Sequence, residues 1–299
     1  MAMDAKTSVV LQHRTLLTVA GADRAAFLQG LISNDIAKVT PERAIYASLL
    51  TAQGRFLHDF FIAAAGDAYW LDVEAARRDD LKRRLTMYKL RSKVTLEAPD
   101  DRTVVALDGP GAGAAFGLPE APGSAAALAG GVVFVDPRLA ALGLRAIVPA
   151  DGLAAIAEAG FAPGELAALD RARAALGVPD GSRDLPVERA LLLENGFDEL
   201  NGVDWKKGCY VGQELTARMK YRALARKRLM PVRIAGPAPE PGAAVMLGDQ
   251  EAGEIRSVHG DVGLALMRLD QVEEAARDGR ALVAGAATIL PQKPAWATF

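Results

Sequence analysis

The chain opens on a partly alternating apolar run over residues 8–19, the pattern of a strand. Gly21-Ala-Asp23 predicts a helix start, with Phe27, Leu28, Leu31 and Ile32 on one face and Asn34-Asp35 as its end. Residues 44–51 and 55–64 predict two strands around a turn at Gln53-Gly54, and residues 69–73 a third. Residues 74–88 carry Leu81, Leu85 and Tyr88 at helical spacing, which predicts an amphipathic helix. Strands are expected near 92–97, 103–107 and 131–135. The stretch 109–130, rich in Gly, Ala and Pro, predicts loop with a short helix. A further helix is expected over 163–176, stopped by Gly177-Val-Pro179.

After Arg228 the pattern changes. Short apolar runs at 230–234, 244–247, 251–258, 263–268 and 281–283 alternate with Pro and Gly turns, as in a small all-β module. The elements before residue 226 follow no strict βαβ alternation. The pattern therefore predicts an α+β body over residues 1–226 and a β-barrel over residues 227–299.

The length of 299 residues fits two or three domains. Apolar residues make up 51% and charged residues 24%, a globular composition. No apolar run approaches the roughly 20 residues of a membrane helix, so no membrane partner is expected. Residues 1–14 show no secretory pattern, and a cytoplasmic setting is expected. The net charge of −2 hides segregation. Residues 74–93 carry eight Lys/Arg and three Asp/Glu; residues 206–228 carry eight Lys/Arg and one Glu. Two basic stretches on a mildly acidic chain suit an anionic ligand or partner, although a charge run also serves as the solvated face of a helix.

Cys209 is the sole cysteine, which excludes an intramolecular disulfide and a multi-cysteine metal site. It follows Lys206-Lys-Gly, and nearby positive charge favours a reactive thiolate; a packed, inert thiol is the alternative reading. His13, His58 and His259 lie too far apart for a ligand-spaced pair, so no resident metal is expected. Asp108-Gly-Pro-Gly-Ala-Gly-Ala114 imitates a dinucleotide-binding turn. Pro110 removes a donor from that turn, and Pro119 and Pro122 would break its helix. Among the acids, Asp59 sits inside an apolar strand and Glu194 follows three leucines, positions that are costly to bury without a partner or ligand. Asp35 fits a helix cap.

Lys207-Gly-Cys-Tyr-Val-Gly-Gln-Glu214 is similar to the signature of the YgfZ proteins, folate-binding accessory factors for iron–sulfur proteins. The resemblance extends to Phe27-Leu-Gln-Gly-Leu-Ile-Ser-Asn-Asp35, Leu49-Leu-Thr-Ala-Gln-Gly-Arg55 with Asp59, Leu193-Glu-Asn-Gly-Phe-Asp-Glu-Leu200, Ala217-Arg-Met-Lys-Tyr-Arg222 and Gly263-Leu-Ala-Leu266. That family resembles the aminomethyltransferase (T-protein) of the glycine cleavage system. The resemblance implies two interleaved α+β subdomains and a C-terminal β-barrel around a central channel that binds tetrahydrofolate, or a one-carbon derivative with a polyglutamate tail. It implies that Glu194 and Asp59 hold the pterin, and that Cys209 is the reactive group with Lys207 promoting its thiolate. Tyr210, Gln213 and Glu214 would shape the motif, and Asp35 and Arg218 complete the cofactor-binding set. Expected partners are folate and iron–sulfur client enzymes or cluster-assembly proteins; RNA is disfavoured by the acidic net charge. His58 replaces the first acid of the transferase's pair, which favours an accessory factor over the alternative, a one-carbon (aminomethyl) transferase. Ala223 replaces a glycine usual in the pattern.

Overall fold

The computed structural model describes residues 5–222 and 225–299; Ala223, the departure from the family pattern, lies outside them. The chain divides into two compact units. The first comprises the described residues up to Leu50 with His58–Leu166 and Leu200–Val211. The second comprises Thr51–Leu57, Ala167–Glu199 and Gly212–Phe299.

The first unit is built on two sheets. The apolar run at the start is two strands, β1 (Thr7–Val10) and β2 (Arg14–Ala20), because a turn closed by Arg14 N–H on the Leu11 carbonyl separates them. Helix α1 (Arg24–Gln29) precedes β3 (Ile45–Leu50), β4 (Phe56–Ala65), β5 (Ala68–Glu74) and helix α2 (Arg78–Lys89). The chain continues through β6 (Thr95–Glu97), β7 (Thr103–Asp108), β8 (Ala125–Leu128), β9 (Gly131–Val135), β10 (Leu144–Val148), helix α3 (Gly152–Glu158) and β11 (Ala162–Pro163). One sheet has the order β3-β4-β5-β2-β6, the other β11-β1-β7-β10-β9-β8. Every residue of β3 is buried, as are the first eight of β4, so these two strands read as mainly apolar runs rather than alternations. β7 pairs antiparallel with both β1 and β10, which removes the parallel crossover a dinucleotide fold needs after Asp108.

Some expected boundaries shift. α1 stops at Gln29, not at Asn34, because the Gln29 side chain accepts the Ile36 N–H and draws the chain into a new turn. Asp35 caps that turn by accepting the Ala37 N–H at 3.0 Å. The strand β10 escapes the apolar pattern because Arg145 interrupts it; the guanidinium is buried against Asp72.

The second unit holds helix α4 (Leu166–Ala175), helix α5 (Gln213–Tyr221) and a closed barrel. The barrel strands are β12 (Lys227–Ala235), β13 (Ala244–Leu247), β14 (Gln250–His259), β15 (Val262–Arg268), β16 (Leu282–Ala284) and β17 (Ala287–Pro291), with helix α6 (Leu269–Asp278) between β15 and β16. They close in the order β12-β15-β14-β13-β16-β17, β17 returning to β12. Closure leaves no unpaired edge. Val232, Val245, Ile255, Ala265 and Met267 fill the interior. An α+β chain with a C-terminal β-barrel is thus the architecture.

Candidate functional site

The cysteine loop belongs to the first unit up to Val211. Its anchor is reciprocal. The Lys207 ammonium donates to the Gln29 and Ile32 carbonyls, both at 2.6 Å. The Gln29 amide donates back to the Lys207 carbonyl at 3.0 Å and to Asp35 Oδ1 at 3.0 Å. Val211 N–H closes the loop on the Gly30 carbonyl at 3.1 Å. The Lys207 ammonium also lies 4.8 Å from the buried Tyr210 ring, a cation–π contact. Burial pulls the Lys207 ammonium down to about 8, against the opposing pull of Asp35 and Asp204. Gly208 takes φ +90, a conformation that suits glycine, with open space where a Cβ would stand. The result presents Cys209 as an exposed free thiol on a pinned loop.

Asp59 sits in the same unit, 2% exposed. Its Oδ2 accepts the Tyr46 hydroxyl at 2.7 Å, so the acid that the resemblance assigns to a pterin is tied to a protein hydroxyl. Burial, then the Asp59 charge, push the Tyr46 phenol well above its ordinary value. Phe61 packs on Tyr46 with ring centroids 5.1 Å apart, and the Arg138 guanidinium lies over both rings. The preceding His58 instead meets Asp80 of α2, Nε2 to Oδ2, at 3.0 Å. Burial, then the charge of Arg77, lower His58 to about 4, so it is neutral at pH 7.

Glu194 lies in the second unit, on a short turn ending in Gly196. It lines a cavity of about 160 Å³ with Arg189, Asn195, Lys227, Glu254 and Arg256. Burial raises its carboxyl above the ordinary value, while Lys227, Arg55, Arg256 and Arg228 pull the other way. Among the described residues its carboxylate makes no hydrogen bond and no ion pair within 4 Å. A half-buried acid ringed by cations but bonded to none is poised to accept N–H donors from a ligand. The last part of the motif begins α5: Gly212 at φ +81 precedes Gln213, and Glu214 and Arg218 stand exposed one turn apart on one face.

The structure therefore brings Lys207, Cys209, Tyr210 and Asp35 together around Gln29, and places Asp59 in the core of the same unit. Glu194, Gln213, Glu214 and Arg218 belong to the other unit. Sequence reasoning missed Gln29 and Tyr46. Gln29 stood next to Gly30 at a helix end, where its side chain could turn back on the chain. Among the described residues, no group of three or more His, Cys, Asp or Glu side chains is placed to hold a metal ion. No helix of the described residues is long and apolar enough to cross a membrane.

Two stretches of the chain each match a known family. Residues 9–117 match the GCVT N-terminal domain, and residues 226–299 match the CAF17 C-terminal beta-barrel domain. The solved glycine cleavage system aminomethyltransferase T from Bartonella henselae superposes with a TM-score of 0.76, over 99% of this chain and 87% of that one, at 16% identity. The class is therefore that of GCVT-fold proteins carrying a CAF17-type barrel. Iron-sulfur cluster assembly factor IBA57, mitochondrial, from Homo sapiens is 37% identical over 283 residues, spanning 88% of this chain and 78% of the human one. The Mus musculus factor is 34% identical over the same shares. The chain belongs to the iron-sulfur cluster assembly factor IBA57 family.

Proposed function

We propose that the chain binds a reduced folate and serves the assembly or repair of iron–sulfur clusters on client or carrier proteins, with Cys209 as its reactive group. The observation that carries this reading is the exposed Cys209 thiol on a loop pinned by Lys207 and Gln29, in a chain whose relatives are named iron–sulfur cluster assembly factors. A thiol held at the surface can meet an iron centre or a partner's thiol without rearrangement of the core. The cluster is cargo in this reading.

The folate part rests on Glu194. A pterin offers ring N–H and amino donors in one plane, and the unbonded Glu194 carboxylate is an acceptor of the matching kind. The cavity of about 160 Å³ is of the size of the pterin ring alone, and Lys227, which lines it, belongs to the basic stretch 206–228 that suits the carboxylates of the folate tail. The Glu194 acceptor matches the donors of the ring. His58 stands where a transferase would have its first acid, and it is neutral at pH 7, which supports an accessory role over aminomethyl transfer.

Titration calorimetry with tetrahydrofolate on wild type and Glu194→Ala tests the ligand. Binding by wild type and its loss in the variant is the expected pair of results; no heat with wild type ends the folate reading. The thiol is tested in cells lacking their own factor. Cys209→Ser should keep fold and folate binding yet fail to restore [4Fe–4S] enzyme activity, and full rescue would remove Cys209 from the function.

A further inference from the structure

Helix α2 ends in an apolar knob that no part of its unit covers. Met87 is 66% exposed, Tyr88 41% and Leu90 89%. Leu90 also stands at φ +43 and ψ −109. A bulky side chain avoids positive φ, and an exposed residue recovers nothing by packing. Strain kept without a packing return points to a use outside the free chain.

The charge around the knob is not neutralised. Asp80 absorbs Arg83 and Arg84. Lys82, Lys89, Arg91 and Lys93 have no acidic partner among the described residues. Three apolar side chains within one turn, framed by four unpaired cations, complement a surface that is acidic and offers an apolar contact. An acidic bilayer would share that chemistry only in part. The Asp23 carboxylate lines the same depression as Leu90, Arg91 and Ser92, held there by the Lys93 N–H at 2.7 Å. A flat anionic surface would press against Asp23, whereas a protein segment can set a donor opposite it.

We infer that the end of α2 is a docking surface for an acidic segment of a protein partner that carries an aromatic or aliphatic anchor, with Leu90 as the central contact. The surface is independent of Cys209 and Glu194, so its test does not depend on cluster or folate chemistry.

The test is fluorescence anisotropy of the full chain with three probes: a random copolymer of glutamate and tyrosine, plain polyglutamate, and vesicles of equimolar phosphatidylcholine and phosphatidylglycerol. The copolymer should bind best. Met87→Ser with Leu90→Ser, and separately Lys89→Glu with Arg91→Glu, should each weaken it by about tenfold or more, as two contacts are lost in each. Leu90→Gly gives a second, opposite reading. It should raise the melting temperature, because glycine accepts positive φ, and still weaken copolymer binding. Equal binding of polyglutamate and copolymer would overturn the inference, since charge alone would then suffice. So would vesicles that displace the copolymer, variants that bind it unchanged, or self-association of the wild type that Leu90→Ser abolishes.

Discussion

Lys207 and Gln29 hold each other by opposite ends. The ammonium of one donates to the carbonyl of the other at 2.6 Å, and the amide of the second donates to the carbonyl of the first at 3.0 Å. This arrangement assigns Lys207 a task different from the one its place beside Cys209 suggests. Its ammonium is spent on the Gln29 and Ile32 carbonyls, which fixes the loop that presents the thiol.

The clamp should behave as a coupled unit. Gln29→Ala removes the donor to Asp35 and Lys207 and the acceptor of the Ile36 N–H, and should cost about 1–3 kcal/mol, the range for hydrogen bonds left unmade. Lys207→Met should cost a similar amount, because it leaves two carbonyls without their donor. The double variant should cost less than the sum, since the two substitutions break different bonds that hold the same loop in place, and loss of either loosens the other. Urea denaturation of the four proteins measures this; strict additivity would mean that the two residues act separately. Native-state alkylation of Cys209 should remain stoichiometric in all four, because the thiol is already exposed.

Glu194 offers a pH signature. Its carboxyl titrates above the ordinary value because burial disfavours the charge. If the ionised form accepts the pterin's donors, tetrahydrofolate affinity should fall on acidification, starting at a higher pH than a free glutamate would allow. Glu194→Gln keeps the shape but turns one acceptor into a donor. It should bind about tenfold or more weakly, consistent with a lost charge-assisted bond, and its affinity should no longer follow this titration. A wild-type affinity that stays flat through the acid range would exclude Glu194 as the acceptor.

The Tyr46–Asp59 pair is a core contact with a direct test. Tyr46→Phe keeps the ring against Phe61 and removes the hydroxyl that Asp59 Oδ2 accepts. The expected loss is about 1–3 kcal/mol of stability, more than a surface change would give. Asp59→Asn should be milder, because an amide oxygen can still accept the phenol. Thermal melts of both variants at pH 7 check the order.

Much of this was legible in the sequence, and the gaps have physical causes. β3 and β4 announced themselves because their residues are buried on both faces and form apolar runs interrupted only by Ser48 and by His58-Asp59. The barrel was visible through its Pro/Gly turns. β10 was hidden by Arg145, a buried charge that only a distant Asp72 explains. α1 read too long because Leu31 and Ile32 keep the helical spacing after the backbone has left the helix. Cys209 and Glu194 stood out by isolation and by an acid after an apolar run. Gln29 did not, because its importance lies in hydrogen bonds to residues 207 and 35, and one of those lies 178 positions away.

His58 supplies the last prediction. It is buried, bonded to Asp80, and depressed from 6.5 to about 4. An unfolded chain takes up a proton at His58 as pH falls through the ordinary value, while the folded chain does not until about pH 4. The unfolded state therefore binds more protons in that window, and stability must fall as pH drops from about 6.5 toward 4. The full difference approaches about 3 kcal/mol at 1.36 kcal/mol for each pH unit. Asp80 is held well below the usual carboxylate range by Arg84, Arg83 and His58 against its own burial, so it stays ionised across the window. His58→Asn should remove this part of the slope while leaving other acidic contributions in place. Guanidinium unfolding at intervals from pH 7 to pH 4, wild type against variant, isolates it. Parallel curves would mean that His58 titrates alike in both states.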